Sequence, residues 1–195
     1  EVADRVVRGL ALGLFDVVSN LCHCSHTYSN RLPAPDCDRA KPQSKDAWAF
    51  GLAQLFTAAS PAVTREFEAA YMQRIFPKFG AVYYGCCERL DDRLDVVSRL
   101  PNVRKISCSP WSDRERFAER LPEGIIMSNK PTPALLATDS FNEDAARADI
   151  RRTIAAAARF NRPLELIQKD ISTVRHDPRR LWRWAQIASE EAERV

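Results

Sequence analysis

The residues able to do chemistry fall at a few points of the sequence. Cys86, Cys87 and Glu88 follow the apolar run 81–85. Two thiols and a carboxylate are donors of the kind that zinc accepts. Adjacent residues of extended backbone point to opposite faces, so one thiol would turn toward a site while the other packs. The alternative is a pair of small buried thiols. Lys169-Asp170 closes another apolar run. An ammonium beside a carboxylate keeps the acid ionised, and the acid can then orient a base, a metal or a substrate amide; a structural ion pair is the alternative. His176 titrates near neutrality and can carry a proton, or it can cap the helix that begins near Pro178. Trp111, after Ser109-Pro110, offers a flat wall to a planar ligand or packs under its loop. Lys130 can bind a carboxylate or phosphate, or stand solvated in its loop. Cys22, Cys24 and His26 would share one face if extended, and that spacing suits a metal; incidental cysteines in a loop are the alternative.

Groups so far apart in sequence need a scaffold that brings them together, and the pattern of the chain supplies one. Short apolar strands are predicted at 15–20, 81–85, 103–107, 124–128 and 164–169. Amphipathic helices are predicted at 1–13, 46–56, 60–79, 91–100, 112–121, 142–160 and 178–194. Ser60-Pro61 is a helix start, with serine as the cap and proline in the first turn. The polar stretch 22–45, with Pro33, Pro35 and Pro42, reads as a long loop of the lid or binding type. Strands alternating with helices indicate a parallel sheet covered by helices. An open doubly wound sheet usually carries a glycine-rich phosphate turn after a strand. The six glycines here are dispersed and make no such turn. The expected fold class is therefore α/β, as about five β/α units of the C-terminal portion of a (β/α)8 barrel. A full barrel takes about 250 residues. The 195 present would then be the later part of a longer parent, in one domain spanning 1–195. In such folds chemistry lies at the C-terminal strand ends. Those ends hold the groups named above, whereas the opposite ends, such as Leu100-Pro101-Asn102, are plainer.

Composition narrows the class of function. The chain is 45% hydrophobic and 28% charged, with a net charge of +3. That is ordinary for a soluble globular domain. Basic and acidic residues are interspersed, without the basic block of a nucleic-acid binder. No apolar run reaches the ~18–20 residues that span a bilayer, and the first residues do not form a secretion signal. Six cysteines in a chain with ample core residues are expected as reduced thiols in the cytoplasm.

Several ordered motifs carry a resemblance. They are Ala53-Gln54-Leu55-Phe56 with Ser60-Pro61; Tyr83-Tyr84-Gly85-Cys86-Cys87-Glu88; Arg104-Lys105-Ile106-Ser107 with Ser109-Pro110-Trp111; Asn129-Lys130-Pro131; Lys169-Asp170-Ile171-Ser172-Thr173-Val174-Arg175; and Leu181-Trp182-Arg183-Trp184-Ala185. Together they resemble the uroporphyrinogen decarboxylase-like family, in its bacterial branch related to corrinoid-dependent methyltransferases. The resemblance implies a (β/α)8 barrel whose N-terminal strands are missing here. It implies one of two activities. The first is decarboxylation of tetrapyrrole acetate side chains without a cofactor. The second is methyl transfer with a corrinoid protein and a zinc-activated thiol. In the methyltransferases a His-x-Cys pair follows a strand and a further Cys follows the last one. Here the matching positions read Tyr84-Gly85-Cys86 and Lys169-Asp170-Ile171. On this reading Cys86 or Cys87 would hold zinc with Glu88. Asp170, Glu88 and His176 would be the catalytic groups, and Trp111, Lys130, Lys169 and Tyr84 would contact the substrate. The contrasting expectation is a truncated, non-catalytic relative whose open sheet edge pairs with another chain, as in a homodimer.

Overall fold

The computed structural model describes residues 38, 43–51, 54–85 and 87–194. The predicted strand 15–20, the helix 1–13, the Cys22/Cys24/His26 group and Cys86 lie outside them. Five strands form one sheet: β1 (Trp48–Gly51), β2 (Ala81–Tyr84), β3 (Val103–Cys108), β4 (Ile126–Asn129) and β5 (Leu164–Leu166). Their spatial order is that of the sequence, and every neighbouring pair is parallel. No reversal of strand order, and hence no doubly wound switch point, occurs among them.

The helices are built where the caps put them. Ser60 caps the helical segment 61–78 (α1), accepting from the Val63 amide at 3.5 Å, with Pro61 in the first turn. Residues Thr64–Ala69 within it are wound as a π-helix. Next come α2 (Leu94–Val97), α3 (Arg114–Arg120), α4 (Ala134–Ala137), α5 (Glu143–Arg159) and α6 (Arg179–Ala192). Asp113 caps α3 through the Arg116 amide at 3.1 Å, and Asn142 caps α5 through Ala145 at 3.0 Å. None of the described helices is long and apolar enough to cross a membrane.

The predicted helix 46–56 is corrected to β1 flanked by two short 3-10 turns. Alternation decides this local structure. Trp48 and Phe50 present aromatic rings to one face of the sheet, while Ala49 and Gly51 present almost nothing to the other. A Cβ on Gly51 would lie 2.6 Å from the Tyr84 ring and 2.9 Å from Phe76, so only glycine lets β2 and α1 close over this strand. Sheet pairing therefore overrides the helix propensity of Ala49. The short α4 was not foreseen. The other boundaries shift by a few residues, as expected of helix ends.

The two faces of the sheet differ in chemistry. On one, Ala49, Val82, Tyr84, Ile106, Cys108 and Met127 join Leu90, Leu94, Val97, Phe117, Leu121 and Phe76 in the main hydrophobic core. A second core, around Leu136, Ile150, Trp184 and Ile187, binds α4, α5 and α6 together. The opposite face carries polar and aromatic side chains that reach across an intervening strand. Lys105 of β3 pairs with Glu165 of β5 at 2.7 Å and lies over the Trp48 ring of β1 at 5.4 Å. Tyr83 of β2 meets the Ser128 hydroxyl of β4 at 3.1 Å. Alternate strands of a flat sheet are ~9.5 Å apart. Long side chains span that distance, so these contacts tie alternate strands together across this polar face.

Candidate functional site

The polar face leads to the C-terminal strand ends, where the backbone ladder runs one residue beyond β2, β4 and β5. Gly85 donates to Gly51 O, Lys130 to Cys108 O and Ile167 to Asn129 O, at 2.8, 2.8 and 2.9 Å. These bonds fix where the first residues past the strands stand. Gly85 is required there. Its φ is +110°, and a Cβ would fall 2.7 Å from Leu90 Cδ1 and 2.8 Å from Ser107 Cβ. It turns the chain sharply between Tyr84 and the cysteines.

Three groupings of side chains result. The first is on the polar face itself. Lys130 is only 2% exposed, with its ammonium 5.5 Å from the centroid of the Tyr83 ring, where a cation meets the negative face of the π system. Phe50 stacks on Tyr83 at 5.9 Å, and Ser107 and Ser128 of the same face are fully buried. The buried Lys105–Glu165 pair lies below, toward the N-terminal ends of the strands.

The second grouping joins loops from distant strands. Lys169, after β5, donates to Cys87 Sγ, after β2, at 3.1 Å, and lies 3.5 Å from the Asp170 carboxylate. In a flat sheet β2 and β5 would be ~14 Å apart. The loops beyond the two strands bring them into contact. Burial raises the Cys87 thiol's pKa, as does the Asp170 carboxyl, against a lowering by Lys169. Asp170 has φ +56°, a left-handed conformation that a non-glycine residue adopts at a cost of ~1 kcal/mol. Such strain tends to collect at functional sites.

The third grouping is a surface pocket of about 650 Å³ lined by Glu88, Arg89, Asp92, Arg93, Trp111, Thr57 and Ala58. Trp111 is 72% exposed, held out by a turn in which its amide donates to Ser109 Oγ at 3.3 Å. Arg93 is the buried post of this rim. Its guanidinium donates to the carbonyls of Phe56, Thr57 and Ala59 and to Thr64 Oγ1, tying the loop after β1 to α1.

The residues singled out from sequence are thus distributed unevenly. Cys87, Lys169 and Asp170 touch. Glu88 and Trp111 share one pocket. Lys130 is buried at its strand end, not solvated. His176 is exposed in a turn with φ +59°, and it has no described contact with these groups. Tyr84 sits in the helix-side core, so it is Tyr83, one residue earlier, that faces the opposite, polar side. Cys108 is an inert core thiol: burial pushes its pKa up to about 12.

Tyr83, Lys105, Ser107, Ser128, Glu165 and Arg93 were not singled out from sequence. A signal for some of them existed. Strands of a buried parallel sheet read as continuous apolar runs, so Lys105 in Val103–Cys108 and Glu165 in Leu164–Leu166 are exceptions that call for a partner. No protein-family model matches the chain, and none of the curated proteins is significantly similar to it.

A zinc centre of the methyltransferase kind finds no complete donor set among the described residues, where no three His, Cys, Asp or Glu side chains converge. Burial, with the Asp170 carboxyl, makes the Cys87 thiol hold its proton more tightly than usual, even though the Lys169 ammonium beside it works the other way. A metal-bound thiolate requires the reverse.

Proposed function

We propose that the chain is the later part of a (β/α)8 barrel enzyme of the uroporphyrinogen decarboxylase-like kind, acting on a carboxylate-bearing small molecule of the tetrapyrrole type. The barrel reading is supported by sheet order and layering. Parallel strands in sequential order, with crossovers of the one hand that such connections take as a rule, put the helices on one side and leave the other to face inward. Barrel interiors are filled in layers drawn from alternate strands. Trp48, Lys105 and Glu165 come from β1, β3 and β5, whereas Tyr83 and Ser128 come from β2 and β4. The two free thiols described, Cys87 and Cys108, suit a reducing cytoplasm.

The observation that carries the functional reading is Lys130. Its nearly buried ammonium stands at the C-terminal end of β4, against an aromatic ring, and in parallel α/β enzymes that end of the strands is where chemistry is done. A substrate carboxylate entering from the strand ends would pair with it in a low-dielectric site, where that interaction is strong. Tyr83 and Phe50 would flank the acid's carbon skeleton. When the carbon–carbon bond to the carboxyl group breaks, carbon dioxide leaves and the electron pair stays with the substrate. A proton must then reach that carbon. Lys169, with Asp170 beside it, is the proton-bearing group at the rim. Decarboxylation is favoured over methyl transfer because burial and the Asp170 carboxyl hold the proton on the Cys87 thiol, against the pull of the Lys169 ammonium.

The test is anaerobic incubation with uroporphyrinogen, with products separated by their number of carboxylates. Stepwise loss of carboxylates, reduced on the order of 100-fold in Lys130→Met, is expected. Unchanged turnover in a folded Lys130→Met variant would overturn the assignment of that residue. Absence of both binding and turnover in the wild type would overturn the substrate class.

A further inference from the structure

We propose that Cys87 and Lys169 form a covalent N–O–S cross-link under oxidation, a modification site that joins the loops after β2 and β5. The proposal rests on geometry independent of the substrate reading. Cys87 Sγ and Lys169 Nζ are 3.1 Å apart although 82 residues separate them in sequence. A single oxygen atom inserted between sulfur and nitrogen spans such a gap with little movement of either side chain. Both partners are partly open to small oxidants: Cys87 is half-buried, and the Lys169 side chain is 25% exposed. Asp170, 3.5 Å from the ammonium, is placed to take the proton that the amine must lose before it reacts.

The oxidant is a peroxide, and the chemistry balances over two equivalents. One peroxide converts the Cys87 thiol to a sulfenic acid and water, its O–O bond breaking as S–O forms. A second converts the Lys169 amine to a hydroxylamine and water. The hydroxylamine oxygen then attacks the sulfenic sulfur, and the sulfenic hydroxyl leaves as a third water. Sulfur and nitrogen each lose two electrons, and two peroxides accept four. Two equivalents of a dithiol return thiol, amine and water. The link removes the Lys169 positive charge and pins together two loops at the mouth of the sheet.

The experiment is peptide mass spectrometry of the whole protein after peroxide treatment, in a Cys86→Ser background that excludes a disulfide between neighbours. The expected result is a cross-linked pair of peptides containing Cys87 and Lys169, heavier than their sum by about 14 Da and released by dithiothreitol. In Lys169→Arg the pair should vanish, and Cys87 should instead gain about 16 or 32 Da. If the Lys169-containing protein shows only those simple oxidation products and no cross-linked pair, the proposal is wrong. Because this readout needs no substrate, its failure would leave the carboxylate-binding reading standing. Equally, a protein inactive on tetrapyrroles could still show the cross-link.

Discussion

At the scale of single residues, the two described thiols should behave very differently, because their surroundings do. Cys108 is sealed in the core, with its pKa pushed up to about 12, and Asn129 Nδ2 is its neighbour at 3.6 Å. Cys87 is half-open, with a smaller upward shift caused first by burial. Iodoacetamide reacts with the thiolate. In the native protein Cys87 should therefore alkylate slowly at pH 7 and faster as pH rises through and beyond 9, while Cys108 stays unmodified until denaturant is added. Peptide mapping after timed alkylation reads both. Rapid labelling of Cys87 at neutral pH would show a depressed pKa and reopen the thiolate chemistry set aside above. Lys130 differs again, since its significance comes from where it is buried. Its neighbours in sequence, Asn129 and Pro131, look like any strand end, so sequence alone left it balanced between a binding group and a solvated lysine.

At the scale of elements, two turns bear the geometry of the site. Gly85→Ala forces a Cβ into Leu90 and Ser107 at a φ that only glycine adopts easily. A loss of about 3 kcal/mol in urea unfolding is expected from the strain and overpacking together. Near-neutral stability would mean the turn is laid out differently. Arg93→Met should cost about 2–4 kcal/mol, because three carbonyls of the loop after β1 and Thr64 Oγ1 lose their donor in a buried place. The α5–α6 pair carries an acid-sensitive lock. Glu191 accepts from Arg151 at 2.6 Å and from Arg147 at 2.8 Å. Its carboxyl is drawn down to about 2, chiefly by Arg151 and further by Arg147, against a burial effect that raises it. A depressed acid stabilises the fold fully above its ordinary value of 4.5 and loses that contribution as pH falls toward 2. Thermal unfolding between pH 5 and 2 should thus show a shallower acid slope in Glu191→Gln than in the wild type. Much of this level was readable in advance. Ser60-Pro61 and Asn142 marked helix starts because capping is local chemistry. By contrast, β1 was read as helix because its strand character depends on the Tyr84 and Phe76 rings closing over Gly51, contacts made 25 and more residues away.

At the scale of the whole molecule, the sheet's order decides what the strand ends can become. The alternation of strand and helix announced a parallel sheet, and the structure has one with five strands in sequential order. Which face carries the polar side chains was not readable, because it follows from contacts that skip a strand: Lys105 to Glu165 and Tyr83 to Ser128. Lys130 lies against the Tyr83 ring on that face, while Tyr84 packs in the core on the other. The central claim is that the strand-end mouth of this polar face binds a substrate carboxylate through Lys130. The most direct measurement is calorimetric titration of the protein with uroporphyrin, a stable tetrapyrrole polycarboxylate, in parallel with Lys130→Met and Trp111→Ala. Saturable binding is expected, weakened at least ~10-fold in Lys130→Met, with a smaller effect in Trp111→Ala at the outer rim. Equal affinity in the wild type and a folded Lys130→Met variant, or no binding by either, would contradict it.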